Sequence, residues 1–162
     1  MTGNEEALGK IISSSLSGKG AHVATGTLLT GLGWKAAGAR PEGAPHSIFQ
    51  ILNHIVYWQE WGTKWLDGES PAVPTHASGS WPGDVAPSDA KEWQQAVRAF
   101  RNGLAKLKRR SHEAGLLALR GKHKKMGSLQ AIASHNSYHA GQIVLLRQML
   151  GAWPPPSAGL TW

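Results

Sequence analysis

The stretch Ser47 to Leu66, SIFQILNHIVYWQEWGTKWL, most constrains what this chain can fold into. It holds no proline and a single glycine over about five helical turns. Ser47 and Gln50 make a capping box, S-x-x-Q, in which each residue's side chain accepts the other's backbone N–H. The pattern predicts a helix from Ile48 to about Leu66, stopped at Asp67-Gly68. Ile51, Trp58, Trp61 and Trp65 fall within about 60° of His54 on that helix, so a histidine shares the apolar, core-facing stripe.

The rest of the chain carries the same signature. Glu5 to Leu16 reads as a first helix, broken by SGKGAH. Helical character resumes from Thr25 to Ala37, weakened by Gly26, Gly31 and Gly33. ARPEGAPH is a loop, and Glu69 to Pro87 is a long Pro/Gly/Ser-rich loop of the kind that is functional or mobile. Ser88 or Asp89 caps a third helix with Trp93, Val97, Phe100, Leu104 and Leu107 on its apolar stripe. That helix ends between Ser111 and Ala114, and GKHKKMG is a connection. Ser128 caps a last helix, Leu129 to Leu150, closed by Gly151. The tail, 151–162, contains three consecutive prolines and is expected to be extended. Strand and hairpin signals are weak throughout. The expectation is an all-α fold: a four-helix bundle with long connecting loops, in one domain spanning 1–162.

Composition removes several function classes. The chain has no cysteine, so a metal site must use histidine, carboxylate or water. The N-terminus MTGNEEALGKIISSS lacks the basic-then-apolar order of a signal peptide. No window reaches the roughly 18 apolar residues of a membrane span. The expectation is a cytoplasmic protein with no membrane partner. The formal charge is +7, much of it between Lys106 and Lys125. That run has no interleaved aromatics of the kind that stack on single-stranded bases. It reads as a solvated helix end rather than a nucleic-acid surface.

SHNSYHAGQIVL, Ser134 to Leu145, places His135 and His139 about 40° apart on one face of the last helix. Ile132, Ile143, Leu146 and Met149 share that face, so both imidazoles should point inward. A buried ring nitrogen without a partner costs roughly 1–3 kcal/mol. The residues alone leave two readings: core histidines bonded to backbone or water, or two ligands of one metal ion. His54 is a third inward histidine, and helical bundles assemble metal sites from facing helices. Asn136 stands where a zinc protease of the H-E-x-x-H type carries its glutamate, so that mechanism lacks its base.

HSIFQILNHIVYW (His46 to Trp58) followed by SHNSYHAGQIVLLRQML (Ser134 to Leu150) resembles the DinB-like superfamily. This is the stress-associated helical-bundle family, not the translesion polymerase that shares the label. GAHVATGTLLTGL, ARPEGAPHSI and GAWPPPSAGLTW add to the likeness, which is vague across Glu69 to Lys125. The resemblance implies a four-helix bundle, often dimeric, with a divalent metal ion held by His54, His135 and His139. Zinc and nickel are the metals it implies, with iron as a third option. It also implies a small-molecule substrate, with a low-molecular-weight thiol among the candidates.

Three neutral imidazoles leave a coordination position open, which suits catalysis better than structure. The open position suits water, for hydrolysis, or a substrate thiol, for transfer to an electrophile. The expectation is a metal-dependent thiol transferase or hydrolase; the alternative is a metal-binding stress-response protein without catalysis. Gln142 and Tyr138 are the candidate catalytic or supporting residues, and Trp58 the candidate pocket wall. His22 follows a chain break from which it could swing towards the site. Asn53 and Asn136 point about 100° off the ligand face, towards neighbouring helices. Ala133, Ser137, Ala140, Gly141 and Val144 form a small-residue stripe opposite the ligands, suited to a close helix–helix approach and to a homodimer.

Overall fold

The computed structural model describes residues 2–18 and 20–156. Among the described residues five α-helices carry the fold: α1 Gly3–Ser17, α2 Trp34–Gly38, α3 Ile48–Leu66, α4 Ala90–Arg110 and α5 Lys125–Met149. A 3₁₀ turn, Ala77–Ser80, interrupts the long loop before α4. The four long helices close a ring: α3 packs on α4 and α5, and α1 packs on α5 and α4. This is the expected four-helix bundle. None of the described helices is long and apolar enough to cross a membrane.

Capping explains three of the helix starts. Ser47 Oγ accepts from Gln50 N at 3.1 Å, and Gln50 Oε1 accepts from Ser47 N at 3.1 Å, as the box predicts. Thr2 and Glu5 form a second box at the start of α1. Asp89 is the cap of α4, accepting from Glu92 N at 2.8 Å.

Three details differ from the sequence expectation. Thr25 to Ala37 is helical only from Trp34, and the residues before it are consecutive turns. Three glycines make a helix there costly, and the carbonyls that the turns leave free are used by Arg147, described below. Ser128 is not a cap: α5 begins at Lys125, almost one turn earlier. A two-residue hairpin, β1 Leu119–Arg120 with β2 His123–Lys124, occupies the expected connection. Behind it, the Leu116 and Ala118 carbonyls accept from Met126 N and Lys125 N, which replaces a side-chain cap. The tail leaves α5 through Gly151 (φ 66°) and is non-helical to Pro156; 157–162 lie outside the described residues.

The core has two apolar clusters. One gathers Leu28, Ile48, Leu52, Ile55, Phe100 and Ile143; the other Ile12, Leu16, Leu104, Leu107, Leu129 and Ile132. Each such side chain contributes about 1.5–3 kcal/mol on burial. Glycine sets the helix spacing at one crossing, where a Cβ on Gly9 of α1 would run into the Ser111 carbonyl. Several of the cations in 106–125 serve the fold. Arg110 pairs with Asp67 and Glu113, and Arg120 donates to the Trp65 and Glu69 carbonyls at the end of α3.

Candidate metal centre

His54 comes from α3, His135 and His139 from α5, two helices packed against each other. His54 and His139 are buried and His135 is half-buried. His135 Nε2 stands 3.1 Å from His54 Nε2 and 3.1 Å from His139 Nε2. All three ligand atoms lie within 4.8 Å of one another. Nitrogens bound at roughly 2.0–2.1 Å to one ion stand roughly 2.9–3.4 Å apart for octahedral to tetrahedral angles. Both separations from His135 are therefore those that a shared ion would impose.

The outer nitrogens explain why the inner ones converge. His54 Nδ1 lies 3.1 Å from the Ser80 carbonyl, and His139 Nδ1 lies 2.7 Å from Gln142 Oε1. Both partners are acceptors, so both Nδ1 atoms carry the proton and both Nε2 atoms present bare lone pairs. His135 Nε2 sits between them and can donate to one at most. A cation at the point of convergence removes that conflict; the histidine-plus-oxygen arrangement is the usual support of a metal ligand. His135 Nδ1 and both amide atoms of the buried Asn136 have no hydrogen-bond partner among the described residues.

Burial lowers the pKa of all three histidines. His135 falls to about 4 through burial first and then through His139 and His54. Burial also lowers His54 against the Ser80 carbonyl, and His139 against the Gln142 bond. At neutral pH all three are uncharged, the form that ligates.

The long loop completes the surroundings. Ser47 Oγ donates to the Val85 carbonyl, and Gln50 Nε2 donates to the Pro82 carbonyl at 3.4 Å. The capping residues of α3 thus also pin the loop that supports His54. The Trp81 indole lies between two imidazoles, its ring centroid 3.9 Å from His54 and 3.7 Å from His46, nearly parallel to both.

Trp58 stands edge-on to His54 at 6.4 Å and to His135 at 6.3 Å. It borders a cavity of about 340 Å³ with Trp61, Ser128, Ala131, Ile132 and His135. Tyr138 is exposed, with its ring 5.0 Å from His139.

His22 is not at the centre. Its Nε2 bonds Ser137 Oγ at 3.0 Å, on the opposite face of α5, and its Nδ1 bonds the Val23 carbonyl. The residues around 22 therefore cover part of the small-residue stripe from within the chain. Asn53 bonds the Phe49 carbonyl of its own helix rather than a neighbouring helix. Ser80, Trp81 and His46 were not among the sequence candidates. They lie outside the long helices, where helical periodicity gives no facing, and only the length and Pro/Gly/Ser content of Glu69 to Pro87 marked the segment that holds Ser80 and Trp81.

A family model described as DinB superfamily matches residues 21–143, a span that includes all three histidines. No curated protein and no solved structure matches the chain.

Proposed function

We propose, from the premise that this chain belongs to the DinB superfamily, that it binds a divalent metal ion through His54, His135 and His139. In this reading it is a metal-dependent enzyme of the thiol-transferase or hydrolase kind, acting on a small molecule. The observation that supports it is the convergence of three Nε2 atoms, two of them held as bare lone pairs by Ser80 and Gln142. Zinc or nickel suits three imidazoles, with iron as the third choice. When bound, the ion supplies a Lewis-acid position that lowers the pKa of a water or thiol.

The chain's own residues define the rest. Gln142 fixes the tautomer and ring angle of His139, Trp58 walls the approach beside His135, and Tyr138 edges the exposed side of His139. A metal store without turnover is the competing reading. It draws on the triad itself, which among the described residues includes no aspartate or glutamate to act as a base. The working form we propose is a cytoplasmic homodimer; sedimentation showing only monomer at micromolar concentration would remove the dimer.

Anaerobic purification with metal analysis tests the centre. Near-stoichiometric metal that disappears in a His54→Ala/His135→Ala variant is the expected result. Full occupancy in that variant would rule out this ligand set. Metal-dependent turnover of a small thiol with an electrophile, or of a hydrolysable ester or amide, then separates enzyme from store.

A further inference from the structure

Two cavities flank the triad, and they differ in chemistry. One, of about 360 Å³, is bordered by Glu42, His46, Gln142, Leu145 and Met149 among others. It reaches only Gln142, on the outer nitrogen of His139, and so lies behind the ligands. The other, of about 340 Å³, has a triad member, His135, in its own wall. Its remaining walls are Trp58, Trp61, Ala131, Ile132 and Ser128. No side chain there is charged, although the chain as a whole carries a formal +7.

The volume is at the lower end of the range that small-molecule sites occupy, roughly 300–1,000 Å³. The two indoles meet at an angle, their centroids 5.8 Å apart. Trp61 is fixed, its Nε1 donating to the Pro71 and Ala72 carbonyls at 3.1 Å each. Trp58 takes part in no side-chain hydrogen bond among the described residues, so its ring faces form an aromatic wall and its Nε1–H is left as a donor for a neutral acceptor. In the metal-free chain an ionised group brought into this cavity would meet no counter-ion among the side chains that line it, and holding it there unpaired is unfavourable.

We infer that this cavity receives an uncharged aromatic ring, or a flat apolar group of that size, and holds it beside His135. The substrate, in this inference, presents its neutral aromatic end to Trp58 and Trp61 and its reacting end to the triad. A charged thiol or carboxylate cosubstrate does not share this cavity. The placement of the reacting end rests on the metal reading proposed above; the selectivity of the cavity does not.

The test is an NMR titration of the full chain, metal-free and zinc-loaded, with naphthalene-2-carboxamide and its anionic counterpart naphthalene-2-sulfonate. The readout is the set of indole N–H resonances, assigned with Trp58→Phe and Trp61→Phe. To the metal-free chain the neutral probe should bind at least roughly tenfold more tightly than the sulfonate, and it should move the Trp58 and Trp61 signals first. Trp58→Ala should weaken it roughly tenfold. Ala131→Leu, which fills the cavity from an exposed position and removes no core contact, should also abolish binding. Equal affinity for the two probes, or shifts confined to other tryptophans, overturns the inference. Binding of the neutral probe by a chain that takes up no zinc would keep the cavity and remove the metal reading. Zinc uptake without probe binding would do the reverse.

Discussion

Helix α5 carries two buried polar clusters, about three turns apart, built on opposite principles. At one, Arg147 is 1 % exposed and has no carboxylate partner among the described residues. Its guanidinium donates to Leu28 O at 2.6 Å, Ala152 O at 2.9 Å and Thr30 O at 3.1 Å, and lies over Trp153. Each of the three guanidinium nitrogens meets an acceptor, so the charge stays buried and ties the turns before α2 to the tail. At the other, three imidazoles point acceptors at one another. Saturated polarity stabilises the fold, whereas polarity that opposes itself requires a further group. The contrast separates a structural site from a candidate metal site on one helix.

The sharpest way to break that contrast is to exchange its consequences. His54→Ala/His135→Ala should abolish metal binding, a loss of roughly a thousandfold or more in affinity, while circular dichroism shows an intact bundle. Metal retained by the double variant, or a collapsed fold in metal-free buffer, would erase the distinction. Arg147→Ala should do the opposite. It leaves the Leu28, Thr30 and Ala152 carbonyls without their partner and should cost about 3 kcal/mol of stability in urea denaturation. The metal stoichiometry of the folded fraction should not change.

A smaller effect tests the support of the ligands. Gln142→Ala leaves His139 Nδ1 without its acceptor and should weaken metal binding roughly tenfold. Gln142→Glu keeps an acceptor and should retain wild-type affinity or exceed it. Asn136→Ala should also lower metal affinity, by less, provided the amide turns to accept from His135 Nδ1 once Nε2 is engaged. Competition titrations against a chelator of known affinity measure all three. Identical affinities would leave Gln142 a surface residue that happens to touch His139.

The two clusters also differed in how far they could be read from the sequence. His54, His135 and His139 were legible because each lies inside a strongly periodic helix, and 100° per residue is enough to place all three inward. The family likeness then joined them. Arg147 was not legible: its partners are carbonyls of Leu28, Thr30 and Ala152, and backbone acceptors leave no mark in the sequence. The same limit explains the overextended helix from Thr25. The periodicity there was real, but glycine cost and the pull of a buried guanidinium favoured turns. Ser128 misled for a related reason, since α5 starts on carbonyls lent by Leu116 and Ala118 instead of on a capping side chain. Trp81 and Ser80 needed the loop path, which the α3 capping residues fix only in three dimensions.

The smallest predicted effect concerns pH and acts on the metal-free protein. An unfolded histidine titrates near 6.5, whereas burial holds His135 down to about 4 and lowers His54, His139 and His46 as well. Between those limits the unfolded chain takes up protons that the fold refuses, so each proton favours unfolding. The histidine contribution to stability is therefore fully present above pH 6.5 and is lost as the pH falls towards 4. The urea midpoint of the metal-free protein should drop steadily across that window. His135→Ala removes the group that burial holds down to about 4 and should flatten the slope while leaving the midpoint at pH 7.5 little changed. Arg147→Ala should lower the midpoint at every pH and leave the slope alone, because neither side chain titrates there. Zinc should raise the midpoint at neutral pH and steepen the fall, since protons then compete with the ion for the same three nitrogens. A metal-free profile that stays flat from pH 7.5 to 4.5 would mean that the imidazoles are not held neutral by burial. The contrast with Arg147 would then reduce to two ordinary polar contacts on one helix.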